Sequence, residues 1–291
     1  MICREVLLSR EEISQFNEDG FLVIENLIDI EMVVGLRDRF ELLFAGDFET
    51  GIYPDEWYWR EGISLPDVTR HIANAWKSDL TIANIVLSST IGKLTATLAQ
   101  WSGARLGQDT IWWKTSGAKE IALHQDSTYI SYLDPPEMMT CWIALDDTSI
   151  DAGTIEYVRG SHKWPLLEKP ADFHAPTRGY RSTMQEHAAA VGVTNPEIIP
   201  IEIQAGSCTI HHGKIWHGSG RNLRTDKVRR SIGIHTLSAQ TCFRPRGAGY
   251  IYGRYKRAGD TTMDENFFPI LWTQAGYRSP FLDQLTSTVA Q

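Results

Sequence analysis

Residues 105–126 carry the stretch that decides the fold: Arg105-Leu106-Gly107-Gln108-Asp109-Thr110-Ile111-Trp112-Trp113-Lys114, then, past Ser116-Gly117, Glu120-Ile121-Ala122-Leu123-His124-Gln125-Asp126. Two short runs rich in apolar and aromatic residues, separated by a Gly-containing turn, predict strands over 106–114 and 120–125. Side chains alternate along a strand with period two, so Gln108, Thr110, Trp112 and Lys114 share one face. The same period puts the imidazole of His124 and the carboxylate of Asp126 on one side of an extended strand. Joined by one more histidine, such a pair makes a 2-His-1-carboxylate set that binds iron(II) and leaves three positions open for oxygen chemistry. Candidates for the third ligand lie in Ile210-His211-His212-Gly213-Lys214-Ile215-Trp216-His217: His217, with His211 and His212 as rivals.

Outward from this core, further strands are expected over 139–145, 154–158, 199–203, 207–211 and 229–237. Upstream, Ser9-Arg10-Glu11-Glu12 reads as a capping box that opens a helix running to Asp19-Gly20, and Phe21-Leu22-Val23-Ile24 as a short strand. Apolar residues at helical spacing (Met32, Val33, Leu36, Phe40, Leu43, Phe44) predict a helix over 30–46, and another is expected over 79–102. Residues 47–76 read as a long aromatic loop, 160–197 as a Pro-containing insertion, and the last thirty or so residues as irregular. Helices followed by a run of strands predict an α+β chain built around a β-sandwich or jelly roll. We expect a single domain over 1–291, with its core at about 10–240 and the segment 241–291 packing near the site.

The chain has 291 residues and a formal net charge of −8. The acidic balance argues against nucleic acid as a partner. Neither a signal peptide nor an apolar run of about 18 residues is apparent, so we expect no membrane span and a cytoplasmic location. The four cysteines lack CxxC spacing and read as reduced core residues. Oligomeric state is not legible.

His124-Gln125-Asp126-Ser127-Thr128-Tyr129, Trp142-Ile143-Ala144-Leu145-Asp146-Asp147, Gly160-Ser161-His162-Lys163 and His217-Gly218-Ser219-Gly220-Arg221-Asn222, followed by Arg229, together resemble the phytanoyl-CoA dioxygenase (PhyH) family, over about residues 10–240. The resemblance implies a double-stranded β-helix (jelly-roll or cupin-like) core flanked by helices, and a non-haem enzyme that uses iron(II), 2-oxoglutarate and O2, with His124, Asp126 and His217 as catalytic metal ligands. It implies that an Arg-X-Ser pair, Arg229 and Ser231, grips the distal carboxylate of 2-oxoglutarate, and that Gln108, Trp112 and Trp142 line the cosubstrate pocket. Strand alternation sets Arg229 and Ser231 on one face and Arg230 on the other. The stretch from His217 to Arg229 is one residue longer than usual, which keeps Arg230 as the competing register. The retained carboxylate at Asp126 disfavours halogenation and makes hydroxylation the default, while desaturation, epimerisation and ring closure use the same triad and stay open.

The implied activity is hydroxylation of an aliphatic C–H of a small molecule, tailoring a secondary metabolite of natural-product, alkaloid or antibiotic type. The alternatives are a catabolic dioxygenase acting on an acyl or amino-acid substrate, and a non-catalytic cupin-like metal-binding protein. Substrate is expected against Trp57, Trp59, Tyr129, Phe243, Arg244, Arg246, Tyr250, Tyr252 and Trp272, a mix suited to a polar ring compound or an anion. No extended basic patch is present for the phosphates of coenzyme A.

Overall fold

A computed structural model describes residues 3–169, 173–174, 176–247, 249 and 251–283. Ser9 caps the first helix, α1 (Arg10–Asp19): its hydroxyl accepts from the Glu12 N–H, and Glu12 accepts from the Ser9 N–H. Gly20, at φ 84°, turns the chain into β1 (Phe21–Ile24). Helix α2 (Ile30–Ala45) follows. Residues 47–76, expected to be loop, contain β2 (Glu56–Trp57) and β3 (Arg70–Ala73), strands too short to leave a legible alternation. The single helix expected over 79–102 is two, α3 (Leu80–Val86) and α4 (Ser89–Ala99), because the backbone at Ser88 is extended (ψ 127°). They are followed by β4 (Gly103–Lys114), β5 (Ile121–His124), β6 (Leu133–Asp134), β7 (Met139–Ala144), β8 (Ile155–Val158), α5 (Ser182–Ala190), β9 (Ile198–Pro200), β10 (Cys208–His212), β11 (His217–Ser219), β12 (Arg229–Ser238), β13 (Cys242–Phe243) and β14 (Ile270–Thr273). Helix α5 lies inside the expected insertion, and β14 inside the expected irregular tail.

The pairings are antiparallel. The larger sheet runs β1-β10-β7-β12-β4-β3-β2, with β14 also paired to β4, and a smaller sheet runs β5-β11-β8-β9. Facing each other, they form the jelly roll. Alternation sorts the larger sheet's two faces. Ile111, Ile232 and Ile234 enter the main core with Leu36, Phe40, Ile82 and Leu94 of the helices, so one face is sealed by α2, α3 and α4. The opposite face presents Gln108, Thr110, Trp112, Arg229, Gly233 and His235 to a cavity of about 360 Å³ between the sheets. Although the Leu80–Ala99 stretch is long and apolar enough to cross a membrane, 67% of its 18-residue apolar window is buried inside the protein, where it forms part of this core.

Candidate active site

Strand β11 pairs with β5 so that His217 sits directly opposite His124. Gly218 allows the approach: a Cβ there would lie 2.7 Å from the Ile121 carbonyl oxygen and 2.9 Å from the Leu123 nitrogen, contacts no side chain could make. Asp126 is not on the strand. β5 ends at His124, Gln125 stays extended (φ −119°, ψ 118°), and Asp126 opens a short 3-10 turn. One extended residue is enough to keep both side chains on the same side, while Gln125 faces away and binds the Lys214 carbonyl and the Leu167 N–H.

The ligating atoms of His124, Asp126 and His217 all lie within 4.8 Å of one another, and all three residues are buried. The Nε2 atoms of both histidines are 3.5 Å from Asp126 Oδ1. Each ring donates its Nδ1–H to a backbone carbonyl two residues earlier, His124 to Ala122 at 2.9 Å and His217 to Ile215 at 3.1 Å. That fixes the tautomer and leaves the Nε2 lone pairs free for a metal. Asp126 Oδ2 is held from behind by Thr140 Oγ1 at 2.9 Å and His211 Nε2 at 3.3 Å. Burial pushes the Asp126 carboxyl up, but the imidazoles of His217, His124, His211 and His235 outweigh it and hold it well below the usual carboxylate range. Burial also holds His217 well below its ordinary imidazole value. Carboxylate and neutral imidazole are the forms that a divalent metal needs. An anion between bare ring nitrogens fits iron(II).

The rival histidines separate cleanly. His211 is a support for Asp126, and its Nδ1 in turn meets the Tyr157 hydroxyl at 2.9 Å. His212 points elsewhere, its Nδ1 accepting from the Lys214 N–H at 3.0 Å. His235 Nδ1 lies 2.9 Å from Thr140 Oγ1. Neither Thr140, His211 nor His235 was expected at the site in a supporting role. Their only signal is strand parity, His235 being on the Arg229 face of β12.

Arg229 lines the cavity, and Ser231 is fully buried beside it, its Oγ accepting from Arg229 Nη1 at 2.7 Å. Arg229 is buried over Trp142, its guanidinium carbon 5.6 Å from the ring centroid, and its Nε has no partner among the described residues. Burial lowers it to about 10, so it remains a cation at neutral pH with room for an anion. Arg230 faces away: its Nε and Nη2 hold Asp146 at 3.0 and 2.8 Å. Gln108 and Trp112 also reach the cavity, and Gln108 donates to Thr110 Oγ1 at 3.0 Å.

Among the residues expected to meet substrate, Tyr129 and Tyr252 line the cavity. Tyr250 lies outside the described residues. Trp57 and Trp59 do not reach the cavity; they pack against the main core. Phe243 is buried in a separate cluster with Phe268, and Arg244 and Arg246 are exposed, away from the cavity. The expected basic contribution is therefore absent from the described wall. In its place are Glu56, His71, Phe173 and His174.

The buried imidazoles carry a pH prediction. Burial lowers His217 and His235, takes His174 to about 2 and His212 to about 4, whereas in the unfolded chain each titrates near about 6.5. The unfolded state thus binds more protons as pH drops below that value, and stability falls with it. Asp109 works the other way, since burial raises it to about 7 and its protonation favours the fold. Four imidazoles outweigh one carboxyl. In metal-free protein, stability to urea is expected to drop from pH 7 to pH 5, by about 2 kcal/mol for each of His174 and His212 before the Asp109 offset, with His217 and His235 acting in the same direction. A flat or rising profile would mean that these rings are charged in the fold.

The chain is 25% identical over 232 residues to the dioxygenase olcK of Penicillium canescens, covering 77% of this chain and 68% of the relative. It is 22% identical over 267 residues to phytanoyl-CoA dioxygenase 1 of Oryza sativa subsp. japonica, covering 81% and 91%. The fold matches that of the epimerase SnoN from nogalamycin biosynthesis, solved with Fe3+, alpha ketoglutarate and nogalamycin RO, at a TM-score of 0.67 and 22% identity over 90% of this chain and 98% of that one. Residues 16–231, which reach from α1 to the Arg229–Ser231 pair and enclose the His-Asp-His cluster, match the model described as phytanoyl-CoA dioxygenase (PhyH), and the chain belongs to that family.

Proposed function

We propose that this protein is an iron(II)- and 2-oxoglutarate-dependent dioxygenase that hydroxylates an aliphatic C–H of a small molecule, in the tailoring of a secondary metabolite. The observation that carries this reading is one cavity holding both halves of the machinery: a preorganised His124-Asp126-His217 cluster and a buried, under-partnered Arg229 beside Ser231. His124, Asp126 and His217 would hold the iron, with tautomers locked by the Ala122 and Ile215 carbonyls. Arg229 and Ser231 would bind the distal carboxylate of 2-oxoglutarate, a charge-assisted contact strengthened by burial. Trp142, Trp112 and Gln108 would wall the cosubstrate. When bound, iron and 2-oxoglutarate supply the oxidising chemistry, in which O2 is reduced and the keto acid is decarboxylated to succinate as the substrate C–H is oxidised. The protein's part is to orient the substrate and exclude water.

Relatives named as a dioxygenase of a fungus and an epimerase of nogalamycin biosynthesis support a tailoring role. The epimerase also favours a second reading, in which the same hydrogen abstraction ends in inversion rather than hydroxylation. Purified protein given iron(II), 2-oxoglutarate, O2 and ascorbate as the reductant in place of substrate is expected to release succinate, and His124→Ala to lose that release together with stoichiometric iron binding. Full succinate release by the variant would sink the assignment. Mass gain of one oxygen in the product, against none, separates hydroxylation from epimerisation.

A further inference from the structure

The cavity has two charged ends. Arg229 is the only guanidinium among the described residues that line it, no lysine does, and the residues outside the described set contain neither Lys nor Arg. Under the function proposed above, Arg229 is committed to the cosubstrate. The only carboxylates on the described wall are Asp126, which belongs to the metal cluster, and Glu56. One row of cross-strand partners connects these ends: Ser231 faces Trp112, and Trp112 faces His71. Glu56 lies on β2, one strand further, which places it about 14 Å, three strand spacings, from the strand of Arg229. That is the reach of a second molecule lying beyond the cosubstrate.

His71 holds the Glu56 carboxylate through a hydrogen bond. His71 Nε2 is 3.2 Å from Glu56 Oε2, and a carboxylate can only accept, so Nε2 carries the proton. His71 Nδ1 is buried and has no partner among the described residues. A second proton there would be an unpaired buried N–H, so the ring is the neutral Nε2–H tautomer. Glu56 Oε1 makes no hydrogen bond among the described residues, and the side chain is 26% exposed. Around it stand π faces: His71 and His174 stack at 4.6 Å and 12°, Tyr58 stacks on His71 at 4.6 Å, and Trp112 lies 4.9 Å from it. Burial keeps His174 neutral, at about 2, so this stack adds no positive charge.

From this arrangement we propose that Glu56 is a specificity residue, and that the outer half of the cavity takes a ring compound bearing a protonated amine. The ammonium would sit between the Glu56 carboxylate and the imidazole and indole faces, where charge and ring quadrupole both attract a cation. The same wall repels a carboxylate or a phosphate, which turns the expectation of an anionic substrate around. This inference rests on the cosubstrate occupying Arg229.

Three probes share one ring and differ in the head group: tryptamine, tryptophol and indole-3-acetate. Calorimetric titration into protein loaded with iron(II) and 2-oxoglutarate under nitrogen is expected to give tryptamine at least about tenfold tighter binding than either of the others. Glu56→Gln should bring the three within about threefold while leaving 2-oxoglutarate affinity unchanged. Tighter binding of indole-3-acetate, equal binding of tryptamine and tryptophol, or no tryptamine binding would overturn the proposal, and these wild-type comparisons stand even if the variant does not fold. Direct titration of 2-oxoglutarate, run first, separates the two readings: failure to bind it overturns the cosubstrate assignment of Arg229, whereas 2-oxoglutarate binding without an amine preference overturns the Glu56 proposal alone.

Discussion

Asp126→Gly is expected to abolish oxidation of substrate and to cut iron affinity by more than about a hundredfold. Loss of a partner that merely supports a ligand typically costs about 10–100-fold, and Asp126 is the sole anion in its cluster. Without it, two neutral imidazoles would have to bind a dication unaided. The fold should survive, because the carboxylate is surrounded by polar partners and supports no apolar packing: Thr140, His211 and the two ligand histidines surround it. The informative measurements are iron stoichiometry under nitrogen and succinate formation, read beside the thermal midpoint of metal-free protein. Hydroxylation at the parental rate with one iron bound would mean that Asp126 is not a ligand. Loss of the midpoint itself would mean that the four-imidazole environment needs its anion in order to fold.

How far the site could be read in advance follows from the length of each signal. The twelve residues of β4 and the ten of β12 are long enough for parity to be unmistakable; parity put Gln108 with Trp112 on one face of β4 and Arg229 with Ser231 on one face of β12, and the family resemblance pointed both faces at the cosubstrate. His-X-Asp needs only one extended residue between its ends, so it holds even though the strand stops at His124. The outer half of the cavity is built from elements that carry no such signal. β2 and β3 have two and four residues, and Phe173 and His174 come from an insertion, His174 meeting Ile121 through a single bridge. Which of many aromatics in 47–76 turns inward is decided by tertiary packing, so Trp57 and Trp59 go to the core while Glu56 and His71 reach the cavity. The supports behind Asp126 are hidden for a related reason. His211 and Tyr157 lie on different strands and meet only once the two sheets face each other.

Arg229 and Arg230 offer a double dissociation between binding and stability. Arg229 is a buried cation whose described partner is one hydroxyl, with its Nε unpaired. A buried charge left without its counterion opposes folding, and replacing it by an apolar chain of similar length is often neutral or stabilising. Arg229→Met should therefore leave the thermal midpoint of ligand-free protein unchanged or raise it. Affinity for 2-oxoglutarate should fall by about 2–4 kcal/mol, from roughly thirtyfold to several-hundredfold, because a buried charge-assisted contact is lost. Arg230 is its mirror image. It holds Asp146 through its side chain and backbone N–H, and Arg37 reaches the same carboxylate at 3.2 Å. Arg230→Met should lower the midpoint, through a stability loss of about 1–3 kcal/mol for a partly buried ion pair broken on one side, and leave 2-oxoglutarate affinity within about threefold. Calorimetric titration and thermal melts on the two variants score both axes. If Arg230→Met lost the cosubstrate and Arg229→Met kept it, the anion site would lie on the opposite face of β12 from the metal cluster, and the assignment of the whole cavity would fail with it.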